Sequence, residues 1–122
     1  MKKLFLVSVI LVAIVTFATA QQRQRLSAEE RVKNQIERLE KLLSLTADQK
    51  TKIEAIELDL AKQMDTRLQN NQGDREAMRT AMQEIDKTRD TKYKEVLSEE
   101  QLKKYLADKE QRQREMGNRR QQ

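Results

Sequence analysis

The chain has 122 residues, a net charge of +5, 37% charged side chains and no Cys, His, Trp or Pro. That composition excludes a disulfide framework, thiol or imidazole catalysis, and the imidazole and thiolate ligands that zinc, nickel and copper normally recruit. The positive balance fits nucleic acid, an anionic lipid surface or acidic polypeptide as a partner.

Lys2 and Lys3 precede an apolar run that starts at Leu4, is broken only by Ser8, Thr16 and Thr19, and ends in Ala18-Thr19-Ala20. Basic start, apolar middle and small-x-small end together read as a secretory signal peptide over residues 1–20, cleaved after Ala20. Cleavage removes Phe5 and Phe17 and leaves Tyr93 and Tyr105 as the only aromatic side chains. Export also removes nucleic acid from the partners. Residues 21–26 are a polar, basic lead-in with little to bury, and are read as disordered.

Ser27 and Glu30 form a capping box, and Val32, Ile36, Leu39 and Leu43 recur on one helical face, which predicts a first helix from Ala28 to Leu43. Leu45-Thr46-Ala47-Asp48-Gln49 is a second box. The helix that it opens carries Ile53, Ile56, Leu60, Met64 and Leu68 and runs to about Gln69, with Leu58 off the stripe, either as a lone exposed leucine or as part of a second contact surface. Asn70-Asn71-Gln72-Gly73-Asp74 is a helix-hairpin turn whose last residue caps the third helix. Met78, Ala81, Met82, Ile85, Tyr93 and Val96 mark that helix's buried side. Arg89 and Lys92 interrupt this face, either by snorkelling or because it lines a concave surface that is both apolar and basic.

Leu97-Ser98-Glu99-Glu100-Gln101 repeats the box of residues 45–49 and opens a fourth helix that buries Leu102, Tyr105 and Leu106. Beyond Ala107 the stripe fades into Lys109, Gln113 and Met116, and residues 112–122 read as a basic flexible tail. No stretch alternates with period two. The fold class is therefore all-α, four helices forming an elongated bent hairpin, in a helical domain over residues 27–111. Its apolar stripe is narrow for the length, and a homodimer would remedy that.

Catalysis needs titratable groups held in a pocket, and the carboxylates here fall mostly in helical i, i+4 pairs with bases, as a solvated face does. A phosphate-binding Gly loop, a nucleophile elbow and an HExxH helix are all missing. The expectation is no enzyme, no cofactor and no metal. Met64, Met78, Met82 and Met116 offer thioethers, but three of them lie in the apolar stripes and read as core filling.

The two boxes, written L-[TS]-x-x-Q, resemble the repeated motif of the Spy/CpxP family of periplasmic helical proteins. Leu42 to Leu60 is similar to the entry of that family's long helix and Lys92 to Arg114 to its last helix; the first and third helices correspond only in pattern. The resemblance implies a periplasmic, cradle-like homodimer that acts as an ATP-independent holdase for unfolded proteins under envelope stress. It implies a client-facing basic surface, for which Arg67, Arg75, Arg79, Arg89 and Lys92 are the candidates. Leu45, Thr46, Gln49, Leu97, Ser98 and Gln101 are then structural caps. Some members of the family restrain a stress sensor kinase, so a regulator docking on such a kinase's periplasmic domain is the alternative. Others bind zinc, and the lack of His sets this chain apart from them. A passive envelope protein held to anionic lipid by its termini is a third reading.

Overall fold

Hydroxyl side chains start three of the four helices. In the computed structural model, which describes residues 26–122, Ser27, Thr46 and Ser98 each accept a hydrogen bond from the backbone N–H three residues on. Glu30, Gln49 and Gln101 reach back to the cap's own N–H, all at 3.0 Å. Asp74 caps the remaining helix through Ala77 N–H at 2.9 Å. The result is α1 (Ala28–Leu43), α2 (Ala47–Asn70), α3 (Arg75–Val96) and α4 (Glu99–Arg120), with no strand among the described residues. The signal-peptide reading and the lead-in as far as Arg25 lie outside the described residues.

Two short connections need a left-handed residue: Ser44 at φ 53° closes α1, and Gly73 at φ +85° completes the α2–α3 turn. Gly takes that conformation at little cost, whereas Ser44 has its N–H bonded to Glu40 O at 2.9 Å in partial recompense.

The helices run alternately up and down. Arg31 on α1 meets Asp65 on α2, Arg67 on α2 meets Glu84 on α3, Lys109 on α4 meets Asp86 on α3, and Arg38 on α1 meets Asp108 on α4. α2 and α3 make the long hairpin, and α1 and α4 flank it and touch each other. Val32, Ile36, Leu39, Leu43, Ile53, Tyr93, Leu97 and Tyr105 form one buried cluster in the half of the bundle nearest the α1–α2 and α3–α4 loops. The two tyrosine rings meet there with centroids 4.8 Å apart and planes tilted by 53°, a favourable aromatic geometry.

At that end the two repeated boxes join. Gln49 Nε2 donates to Gln101 Oε1 at 2.7 Å, and Gln101 Nε2 donates to Gln49 Oε1 at 3.0 Å. The second proton of each amide goes to the last turn of a helix: Gln49 to Val96 O of α3, and Gln101 to Leu43 O of α1, both at 3.1 Å. Each amide therefore uses two donors and accepts two hydrogen bonds, and the ends of all four helices are fixed to one another.

Three expectations need correction. Met82 is 56% exposed because the bundle opens away from the boxes, and Leu106 is 41% exposed because it lies about 100° round α4 from the buried Tyr105. Leu58 is half-buried against the core cluster instead of standing free. α4 does not fray at residue 112 but continues to Arg120, although every residue from Glu110 on is exposed. Arg112 to Asp108 at 2.9 Å and Arg114 to Glu110 at 2.5 Å are i, i+4 pairs, and the Gln, Arg and Glu of these turns are good helix formers, so no apolar stripe is needed.

The crossed amides make a stability prediction. Thr46→Ala removes one cap and should cost about 1 kcal/mol. Gln49→Leu or Gln101→Leu removes a cap partner and also strands the other amide, so each should cost about 2–3 kcal/mol by urea midpoint. The double replacement should cost less than the two single costs combined. Strict additivity would show that the two amides do not act as a pair.

Candidate functional site

On α2, the step from Ile53 to Leu60 passes through Glu57, which lies on the buried face with its neighbours. Glu57 is 2% exposed, and a carboxylate there requires partners. Arg89 Nε donates to Glu57 Oε1 at 2.8 Å and Tyr93 OH donates to the same oxygen at 2.5 Å. The chain of contacts continues into α4: Tyr105 OH donates to Asp90 at 3.0 Å, and Lys109 Nζ reaches Asp90 at 2.5 Å and Asp86 at 2.6 Å. This polar layer spans α2, α3 and α4 and lies directly above the aliphatic cluster.

Above the layer the bundle opens. A cleft of about 320 Å³ takes Gln35 from α1, Met64 from α2, Met82 and Ile85 from α3, and Arg112 and Met116 from α4, with Arg89 and Lys109 at its base. Met82 and Met116 are 56% and 55% exposed at its mouth. A second hollow, of about 750 Å³, lies beside the α2–α3 turn against Leu26, Leu68 and Met78, and adjoins the start of the described chain. The four-helix cleft has the more defined chemistry, with thioether walls over a charged, fully paired floor. Thioethers are polarizable and adaptable, so such walls accommodate irregular apolar groups. A volume of this size suits organic side chains. No group of three or more carboxylates among the described residues converges as a cation site.

The electrostatics follow from burial. Burial first, then the Glu57 carboxylate, pushes the Tyr93 phenol far above the ordinary tyrosine value. Burial and Asp90 do the same to Tyr105, with Arg89 opposing. Burial alone would lower the Lys109 ammonium, but its hydrogen bonds to Asp86 and Asp90 outweigh that and hold it above the usual lysine value. Burial would raise Asp108; Arg38 and Arg112 overcome it and keep that carboxyl below its ordinary range.

The basic residues predicted to face clients are not gathered into one surface. Arg89 is at the cleft floor, bound to Glu57. Arg67 pairs with Glu84 on the α2–α3 seam, and Lys92 stands 3.9 Å from Asp59 on the same seam. Arg75 and Arg79 are exposed on the first turns of α3. The snorkelling alternative for Arg89 is thus replaced by a specific buried partner, and a Glu at that position would set like charges against each other at Glu57. Sequence reasoning missed Glu57, whose signal was its spacing of four from Ile53 and three from Leu60. It noted Lys109 only as part of a fading stripe and Met116 as that and as a thioether, although the first closes the polar layer and the second lines the cleft.

Fold and cleft together define an all-α four-helix protein with one end knotted by side-chain amides and the other open and methionine-lined. The chain belongs to the family described as a domain of unknown function, DUF4890, which matches residues 18–105. That stretch takes in both paired boxes and the Glu57–Arg89–Tyr93 contacts, and stops before Lys109, Arg112 and Met116. No curated protein and no solved structure matches the chain.

Two outcomes test this arrangement. Arg89→Leu leaves a buried carboxylate without its cation and should cost about 3–5 kcal/mol, whereas replacing Glu57 and Arg89 together by apolar residues should cost much less. The tyrosines supply an independent readout. A phenol raised in the folded state contributes stability that is complete below its unfolded value of about 10 and is lost as pH rises through the folded value. Tyrosinate absorbance should therefore stay low in the folded protein at pH values where free tyrosine ionises, and should appear together with loss of helical circular dichroism. Ordinary titration of both phenols in a protein that remains helical would contradict the buried layer.

Proposed function

We propose that the chain is an exported, periplasmic holdase that shields unfolded polypeptide without ATP, acting as a homodimer. The observation that carries this reading is the open cleft between all four helices, where Met82 and Met116 are exposed over a preorganised polar floor. Native monomers rarely leave several large apolar side chains exposed around one concavity unless something binds there. Methionine suits many shapes of apolar group, and the open mouth imposes no single ligand, so promiscuous capture follows. The signal-like residues 1–20 and the resemblance of the paired boxes to the Spy/CpxP motif support the location and the activity. No helix among the described residues is long and apolar enough to cross a membrane.

Light scattering of a denaturing client tests the proposal. An equimolar amount of the protein should suppress aggregation with no nucleotide present. Met82→Gln with Met116→Gln should weaken suppression while leaving the melting temperature nearly unchanged, since both side chains are already more than half exposed. Absence of suppression by the folded wild-type protein would refute the holdase reading, and sedimentation of the same sample as a monomer would refute the dimer.

A further inference from the structure

We infer that the cleft takes uncharged, aliphatic segments of polypeptide and does not select acidic ones; this rests on the holdase reading and names the kind of client segment it would hold. The chain's surplus of positive charge suggests the opposite. The cleft, however, does not carry that surplus. Arg89 is spent on Glu57 at 2.8 Å, with Asp86 at 3.5 Å. Lys109 lies between Asp86 at 2.6 Å and Asp90 at 2.5 Å, and Arg112 is 2.9 Å from Asp108, which Arg38 also holds at 2.7 Å. These four cations face four carboxylates, Glu57, Asp86, Asp90 and Asp108.

An incoming carboxylate would meet cations whose charge is already balanced, so even at the guanidinium nitrogens of Arg112 that Asp108 does not engage it would gain little net attraction. The field of so compensated a cluster dies away within a few ångströms, and salt shortens its reach further, to about 8 Å at physiological ionic strength. What remains for a ligand is apolar and amide surface. Met64, Met82, Ile85 and Met116 offer the apolar contacts, and Gln35, Gln83 and Gln113 line the same cleft with side-chain donors and acceptors. Those amides match the N–H and C=O groups of a peptide backbone, which a lipid acyl chain lacks. A volume of about 320 Å³ is at the low end for ligand pockets and suits one or two aliphatic side chains with their backbone, not a folded domain. Arg75 and Arg79, which have no ion-pair partner among the described residues, stand on the exposed start of α3 and are not among the cleft's lining residues.

The methionine methyl groups report directly on occupancy. The protein as exported, labelled with carbon-13 at the methionine methyls, is titrated with a capped, leucine-rich uncharged peptide and with the same peptide carrying Glu for Leu. Each titration is run at low salt and at about 0.5 M salt, where the Debye length falls to a few ångströms. The uncharged peptide should shift the Met82 and Met116 methyls, and leave Met78 in place. Its affinity should change by less than about twofold with salt, since no charge is neutralised on binding. Met82→Gln with Met116→Gln should weaken it roughly tenfold through lost apolar contact. Tighter binding of the Glu peptide, abolished by salt, would overturn the inference and leave the holdase reading standing. Silent cleft methyls with both peptides would also overturn it. If that same sample still suppressed aggregation, a different surface would be the holdase surface; if it suppressed none, the holdase reading would fall as well.

Discussion

Everything in this bundle is referred to one pair of side-chain amides. Gln49 and Gln101 hydrogen-bond to each other in both directions, and each also serves its own helix start and the end of a helix that precedes the other box. A capping residue ordinarily governs a single helix terminus. Here the two boxes govern four termini at once, because each glutamine has two donors and one acceptor beyond what its cap requires. The hydrophobic cluster sits against this junction, where the helices cannot diverge.

The Glu57 layer marks how far that constraint reaches. Below it, the rings of Tyr93 and Tyr105 meet at a tilt and the aliphatic side chains of α1 are almost fully buried. Above it no second junction draws the helices together, and methionines line a gap. Burying a carboxylate is costly, and an Arg–Glu pair in such a place seldom adds net stability over apolar packing. What it does add is direction: the guanidinium and the Tyr93 hydroxyl bond one particular oxygen, which orients α2 against α3 where nothing larger would. A polar floor also keeps the methionine walls from collapsing into the core.

Helix starts were legible because a cap is a local chemical statement: Ser27, Thr46, Asp74 and Ser98 each announce themselves to residues three positions away. Helix faces were legible too, and Ile36, Leu39, Ile53, Ile85 and Tyr93 are buried as their spacing requires. Periodicity reports which face a residue is on, but not whether another helix arrives there. Met82 is on the right face at a height where the neighbouring helix has moved away, and Leu106 lies at the margin of its face, about 100° round α4 from Tyr105. Glu57 shows the converse, a charged residue hidden within an apolar period because its partner, Arg89, is far off in sequence. The same long-range pairing explains why a list of basic residues did not describe a basic site. Arg67 and Arg89 look free until α3 is folded back onto α2. The crossing of Gln49 with Gln101 could not be read locally either, since each box is complete as a cap without the other.

The up-and-down order of four helices places the first residue of α1 and the last of α4 at the same end of the molecule, beside the cleft mouth and away from the amide junction. Leu26 itself lies at that end, half exposed against the hollow beside the α2–α3 turn. The exposed final turns of α4 stand at the same end, so the longest uncovered stretch of helix begins beside the cleft.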